Sequence, residues 1–144
     1  MSNKYSAERA VGLFFIRVLL GIIFFMQGFG KVFTWGIEGV YASAFKSYEA
    51  TFLPKWLIYS TAYYTSFVEL IGGALLLLGL FRKWAYFALG SVLLIVSFGH
   101  GLASPIWSLD DVFPRAILLA ALLLLPTAWD SWSLDHRLTN AKYQ

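Results

Sequence analysis

Six polar side chains lie within or next to long apolar stretches of the sequence, where each could take part in binding or chemistry: Arg17, Gln27, Lys31, Glu69, His100 and Arg115. If those stretches cross a membrane, each such group costs about a few kcal/mol unless it is paired or hydrated. A carboxylate beside a cation can form an ion pair or exchange protons, whereas amide, imidazole and guanidinium groups can hydrogen-bond the polar head of an apolar ligand. These six residues are therefore the candidates for function.

Other kinds of site find little support in the sequence. The chain contains no cysteine, which excludes disulfides, iron–sulfur clusters, thiol nucleophiles and covalently attached haem. Its two histidines, His100 and His136, are expected on opposite sides of the membrane, so we expect no metal site within one chain. Phosphate-binding loops, dinucleotide-binding glycine patterns and zinc-protease motifs are also absent. The chain is therefore not expected to be catalytic on its own.

The elements that position these residues follow from composition. Of the 144 residues, 59% are hydrophobic and only 13% are charged, about half the charge of a soluble domain. Four stretches are long enough to cross a bilayer core of about 30 Å as helices: 11–30, 56–80, 84–103 and 112–129. Within them, only Arg17, Glu69 and Arg115 carry charge. The sequence predicts a single all-α domain, an up-and-down bundle of four transmembrane helices, and the composition excludes nucleic-acid binding.

Helical rise gives the expected depths of the polar groups. If the midpoints of the spans share one level, Arg17 lies about 5 Å to one side of it and Glu69 within about 2 Å of it, close enough for an ion pair. Gln27 and His100 lie about 10 Å to the other side and Arg115 about 8 Å, with Lys31 just above them. We therefore expect an intramembrane pair of Arg17 with Glu69 and a separate polar layer nearer the outer surface.

Glycines accompany the charges on the same helix faces. Arg17, Gly21, Gly28 and Lys31 recur at helical spacing on the first span, and Glu69 and Gly73 do so on the second. Small residues let helix backbones approach closely, so Gly21, Gly28, Gly72 and Gly73 are expected at helix contacts. The charged pair can be read as a structural clamp or as part of a proton or ligand site, and the two readings are compatible.

Topology follows from lysine and arginine near the span ends. One side has six such residues and the other has Lys31, Lys46 and Lys55; the six are Lys4, Arg9, Arg82, Lys83, Arg137 and Lys142. The positive-inside rule then places both termini in the cytoplasm, and we expect the bacterial inner membrane. Within the first outer loop, apolar residues of segment 37–50 recur at three- and four-residue spacing. This predicts an amphipathic helix that lies at the membrane surface or caps the outer end of the bundle.

Two motifs resemble those of DoxX-family membrane proteins. The pattern Arg17-x3-Gly21-x6-Gly28-x2-Lys31 is similar to the opening of the family, and Glu69-Leu-Ile-Gly-Gly resembles its second-helix signature. By position, the family's characteristic residues map to Arg17, Gly28, Lys31, Glu69, Gly72 and Gly73. The family is named from a subunit of a thiosulfate:quinone oxidoreductase, so the resemblance implies a link to quinone-dependent complexes without fixing a reaction.

Two functional hypotheses follow. In the first, the protein is the membrane subunit of a quinone-linked oxidoreductase, and Gln27, Lys31, His100 and Arg115 bind a quinone or similar amphiphile in the outer half of the bundle. The redox centre would then belong to a partner subunit. In the second, the protein is a non-catalytic scaffold or anchor for a partner protein. The polar groups then only fix helix packing, and the outer amphipathic segment docks the partner. Association of several copies of the chain is left open by the sequence.

Overall fold

The computed structural model describes residues 2–104, 108, 110 and 112–141, and these residues form helices and turns without a β-strand. Lys142, one of the residues used for the topology prediction, lies outside them. The long helices are α1 (Ser2–Phe29), α3 (Lys55–Leu78) and α4 (Arg82–Ala103), and the shorter ones are α2 (Gly36–Val40), α5 (Phe113–Leu124) and α6 (Leu134–Ala141). The all-helical prediction is confirmed.

Three helical segments are long and apolar enough to cross a membrane: Ser6–Thr34, Lys55–Leu78 and Arg82–Ala103. Large apolar side chains remain exposed on their outer faces, including Trp84, which is 74% exposed, and Phe15, which is 65% exposed. A soluble protein of this size could not present so much apolar surface to water, whereas lipid tails cover it without penalty. The chain is an integral membrane protein.

The fourth predicted span, 112–129, is shorter as a helix than expected. Helix α5 has 12 residues, which is about 18 Å of helix, and it ends before Leu125 because Pro126 disfavours helical backbone at the preceding residue. A 3₁₀ turn over Thr127–Trp129 follows and leads to α6. The predicted 18-residue fourth helix is therefore wrong in length.

The long helices pack in a simple order. Helix α1 lies along α3, α3 packs against α4, and α5 contacts both α1 and α4. Their shared core is apolar and is centred on Leu20, Phe24, Leu76, Leu89 and Leu122. We call the end of the bundle that carries the α3–α4 turn and α6 the terminal end, and the opposite end, where the segment between α1 and α3 lies, the loop end.

The segment between α1 and α3 is helical almost throughout. A π-helical turn over Gly30–Thr34 extends α1, and α2, a second π-helical turn (Tyr41–Phe45) and a 3₁₀ turn (Lys46–Ala50) follow. Val40 is buried, while Ser43, Lys46 and Ser47 are exposed. The predicted amphipathic segment 37–50 is thus helical and lies over the loop end. Pro54 then precedes the first residue of α3.

At the terminal end, α3 and α4 are joined by a very tight turn. The N–H of Leu80 donates to the carbonyl of Leu75 and that of Gly79 to the carbonyl of Leu76, which is the Schellman pattern of helix ends. Gly79 has φ +67°, a left-handed conformation that glycine adopts without strain. The turn makes α3 and α4 antiparallel neighbours.

Candidate functional site

The loop end of the bundle contains a cavity of about 910 Å³. Ligand sites for small molecules usually measure about 300–1,000 Å³, so this cavity is large enough for one amphiphile. Helices α1, α3, α4 and α5 and the segment above them all contribute to its wall. Most of the wall is apolar, and its polar side chains include Gln27, Lys31, Thr61, Thr65, Glu69, His100 and Arg115. All four residues predicted to bind a ligand therefore face one space.

Lys31 and Glu69 form an ion pair in this wall. The Lys31 Nζ lies 2.6 Å from Glu69 Oε2, and the Glu69 side chain is only 3% exposed whereas that of Lys31 is 26% exposed. Lys31 belongs to the π-helical turn that extends α1, and Glu69 lies in the middle of α3. Glu69 is thus a cavity residue as well as a partner of Lys31.

The predicted pair of Arg17 with Glu69 is wrong. Contacts between α1 and α3 show the reason: Gly28 lies against Leu70, and Gly21 lies against Leu77. By this register, the middle of the first span, near residue 20, faces α3 near residue 78. The midpoint of the predicted second span lies about ten residues away along α3, which is about 15 Å. The midpoints of the two spans do not share one level, so each charge pairs with another residue.

Arg115 and Gln27 form the second polar pair of the cavity. Arg115 Nη1 donates a hydrogen bond of 2.7 Å to Gln27 Oε1, which joins the start of α5 to α1. Pro114 occupies the first turn of α5, where its missing N–H is tolerated, and places Arg115 at the loop end. The pair joins a cation to a neutral amide.

His100 lies near the end of α4 in the same wall and is exposed. Gly99, its neighbour, lies under Tyr48 of the 3₁₀ turn: a Cβ added to Gly99 would come within 3.2 Å of the Tyr48 hydroxyl oxygen. Burial raises the pKa of Tyr48, so its phenol stays protonated at neutral pH. Tyr48 therefore adds a neutral hydroxyl to the upper wall beside His100.

Sequence reasoning did not assign Thr65 or Tyr48 to a ligand site, and for Glu69 it left a proton or ligand role open beside the structural one. Thr65 and Glu69 are four residues apart on one face of α3, so the same helical spacing that located Glu69 could have indicated Thr65. The position of Tyr48 depends on how the segment 36–50 folds over the bundle, and no sequence motif indicates that.

Arg17 belongs to a different cluster, at the terminal end. Its Nε lies 2.8 Å from Asp130 Oδ2, and Arg82 Nη1 lies 2.8 Å from the same oxygen. Arg17 also donates to the carbonyls of Leu76 and Leu77 in the last turn of α3, at 2.5 and 3.1 Å. Asp130 lies beyond the predicted fourth span, so the sequence analysis did not consider it as a partner.

Asp135 completes this terminal cluster. Its carboxylate accepts hydrogen bonds from the backbone N–H groups of Phe81 and Arg82 at the start of α4, and from Arg82 Nε. Burial by itself raises the pKa of Asp135, but the hydrogen bonds from Arg82 and Phe81 outweigh it, and the pKa is lowered. The cluster joins the segment after α5 to the α3–α4 turn and to α1, and we interpret it as structural.

The four glycines predicted at helix contacts occupy two interfaces. Cβ atoms added to Gly28 and Gly73 would lie 2.2 Å from Leu70 N and 2.3 Å from Phe25 N, so α1 and α3 touch backbone to backbone at both points. A Cβ on Gly21 would lie 3.0 Å from Leu77 N. Gly72 faces α4, where its Cβ would come within 2.9 Å of the Leu89 side chain.

The described part of the chain holds no group of three or more His, Cys, Asp or Glu side chains that could bind a metal ion. A model of the DoxX family matches residues 12–101, from α1 to the end of α4, and so includes Gln27, Lys31, Glu69 and His100. No curated protein and no solved structure matches the chain significantly. Because the matched region covers more than half of the sequence, the chain belongs to the DoxX family.

Proposed function

We propose that this DoxX-family protein is the membrane subunit of a quinone-linked oxidoreductase complex and that it binds a quinone or a similar amphiphile in the cavity at the loop end. The observation that carries the proposal is the convergence of Gln27, Lys31, His100 and Arg115, with Glu69, on one largely apolar space of about 910 Å³. Apolar walls with a few convergent polar groups are typical of sites for amphiphilic ligands.

The side chains present fit a quinone. Its ring and tail need apolar contacts, which Leu57, Ile58, Leu94, Ile95 and Phe98 supply. Its carbonyl oxygens need hydrogen-bond donors, which the Arg115 guanidinium and the Lys31 ammonium supply. A bound quinone would provide two-electron redox chemistry, and the chain would orient its head group and shield it from water. Electrons would come from a partner subunit.

The proposed setting is the bacterial inner membrane with both termini in the cytoplasm. In that orientation the terminal end faces the cytoplasm, the loop end faces outward, and the cavity lies in the outer half of the membrane. The excess of lysine and arginine at the terminal end supports this orientation.

Analysis of retained lipids and quinones tests the proposal. Protein purified in a mild detergent should retain a quinone or similar amphiphile, measured by extraction and mass spectrometry. His100→Phe and Arg115→Leu remove polar contacts but keep bulk, so both variants should fold. Each should retain about tenfold less of the molecule than the wild type, the effect of losing a charged hydrogen bond. Ser97→Ala on α4 is the control, since Ser97 bonds the carbonyl of Leu93 within its own helix.

The outcomes separate the two hypotheses. Retention that depends on His100 and Arg115 but not on Ser97 supports ligand binding. Retention equal to that of the wild type in both cavity variants, or no retained amphiphile at all, would refute it and would favour the scaffold hypothesis.

A further inference from the structure

The charges in the cavity do not balance. Lys31 and Glu69 neutralise each other across 2.6 Å. Arg115 is the remaining charged side chain of the wall, and its hydrogen-bond partner among the described residues is the neutral amide of Gln27. Within the described part of the chain, no carboxylate oxygen lies within 4.0 Å of its guanidinium. The described wall therefore carries one positive charge in excess.

The two arginines at the terminal end provide a comparison. Arg17 and Arg82 are both buried, and both are paired at 2.8 Å with the carboxylate of Asp130. Pairing of this kind removes much of the energetic penalty of a charge at membrane depth. Arg115 departs from that pattern: it is half-buried in the largely apolar wall of the cavity, and it bonds an amide in place of a carboxylate.

The geometry leaves Arg115 able to bind an anion. A guanidinium has five N–H donors in a planar fork, and Arg115 uses one of its terminal nitrogens for Gln27. The remaining donors can bind two oxygens of one anionic group, which is the strongest hydrogen bonding that a guanidinium makes. Gln27 holds the guanidinium in the wall without neutralising it.

The apolar lining of the cavity indicates the rest of the ligand's chemistry. Met26 and Leu94 line the cavity and are 59% and 74% exposed, so the cavity is not closed off from the surroundings of the bundle. An apolar molecule can enter from the lipid and fill the space, while a small hydrophilic anion would gain nothing from the apolar walls. The complementary ligand combines an apolar body with an anionic head.

From this charge balance we infer that the cavity selects amphiphiles whose head group is an anionic oxygen acid, and that Arg115 is the residue that recognises the charge. The inference rests on the proposed function, since it concerns the same cavity and names the class of head group. A long-chain carboxylate and an ionised hydroxyquinone share this chemistry.

Matched pairs of ligands test the inference. The protein is placed in nanodiscs of zwitterionic lipid, and binding is measured for a 3-alkyl-2-hydroxynaphthoquinone against the same compound without the hydroxyl group, and for dodecanoate against dodecanol. Empty nanodiscs correct for partition into lipid. We expect the anionic member of at least one pair to bind about tenfold more tightly or better, because charged hydrogen bonds are about twice as strong as neutral ones. The two pairs distinguish a quinone from a fatty acid.

Two variants locate the charge that is recognised. Arg115→Gln keeps a hydrogen-bonding side chain and removes the positive charge. Gln27→Glu keeps the shape of the amide and places a carboxylate beside Arg115, which neutralises the guanidinium without removing it. Both should reduce the preference for the anionic ligand to about threefold or less, and Arg115→Lys should restore part of it. Arg9→Gln, on α1 at the terminal end, should retain the full preference.

Failure of the inference differs from failure of the proposed function. Equal binding of the anionic and neutral members in both pairs by the wild type would overturn the inference and leave binding of an amphiphile intact. A preference that persists in both Arg115→Gln and Gln27→Glu would also overturn it. Absence of saturable binding for all four ligands would overturn both.

Discussion

Gly28 on α1 and Leu70 on α3 are in backbone contact: a Cβ added to Gly28 would lie 2.2 Å from the Leu70 nitrogen and 2.5 Å from its Cα. Backbone atoms cannot move aside as a flexible side chain can, so even one methyl group must separate the two helices. Gly73 repeats the contact from α3 toward Phe24 and Phe25. The position of Lys31 relative to Glu69, and hence the cavity wall, depends on this close approach.

Gly28→Ala should destabilise the protein by about 1–3 kcal/mol, because it overpacks an interface that cannot relax locally. Thermal unfolding in detergent, followed by the fluorescence of the six tryptophans, measures the change. Gly12→Ala is the matched control, since a Cβ at Gly12 meets no atom within 4 Å and alanine favours the helix. Equal unfolding temperatures for Gly28→Ala and Gly12→Ala would show that α1 and α3 are not in contact at Gly28.

Arg17 and Asp130 should be energetically coupled. Asp130→Leu leaves two buried guanidinium groups without their shared carboxylate, and we expect a loss of about 3–5 kcal/mol. Arg17→Met combined with Asp130→Leu should be less unstable than the sum of the single changes by about 1–3 kcal/mol, since Arg82 keeps Asp135 as a partner. Reversible unfolding in mixed micelles gives these free energies.

A second double-mutant cycle, which combines changes at Arg17 and Glu69, serves as the control for this coupling. Arg17 contacts the carbonyl of Leu76, which lies about 10 Å along α3 from Glu69. Arg17→Met and Glu69→Gln should therefore be additive within about 0.5 kcal/mol. Strong coupling of Arg17 with Glu69, together with additivity of Arg17 and Asp130, would reverse the assignment of the two ion pairs.

The stability contributed by Asp135 should depend on pH. Its pKa is lower in the folded protein than in the unfolded chain, so its contribution is complete above the unfolded value and is lost as the pH falls through the folded one. Asp135→Asn should cost about 1 kcal/mol at neutral pH, as the loss of a helix N-cap does. The difference should begin to shrink below about pH 4, the range of an ordinary aspartate, and should vanish once the pH is below the lowered pKa of the folded state. A difference between the two proteins that stays constant from pH 7 to pH 3 would contradict the role of the carboxylate.

Topology can be tested against a background free of cysteine. Ser47 and Asn140 are both exposed, the first at the loop end and the second in α6 at the terminal end. In intact cells, a cysteine at Ser47 should react with a membrane-impermeant thiol reagent, whereas one at Asn140 should react only after lysis. The opposite labelling pattern would place the loop end in the cytoplasm.

Several features of the site could be predicted because they depend on one helix at a time. Helical rise, with the span midpoints assumed to align, brought Gln27, His100 and Arg115 near one level and Lys31 just above them. Periodicity placed Gly28 and Gly73 on the faces of the charged residues. Both properties belong to a single helix and need no knowledge of its neighbour.

The ion pairs could not be predicted in the same way, because they depend on how far one helix slides along another. That offset is set by the backbone contacts at Gly28, Gly73 and Gly21, and span midpoints do not indicate it. Asp130 was missed for a related reason: Pro126 ends α5 early, and the chain that follows turns back against Arg17 instead of continuing outward. The charge balance around Arg115 likewise emerges only once Lys31 and Glu69 are seen to be paired.

The 113-residue separation between Arg17 and Asp130 has a consequence for biogenesis. Ribosomes add about 5–20 residues per second, so Asp130 is synthesised roughly 6–23 s after Arg17. During that interval α1 must enter the membrane while Arg17 has no carboxylate partner. The apolar residues of α1 alone must then support insertion. Arg17 can extend its side chain toward the nearer surface until the last segment arrives. The final step of assembly is then the docking of the C-terminal segment, which brings Asp130 into contact with Arg17 long after the first helix was inserted.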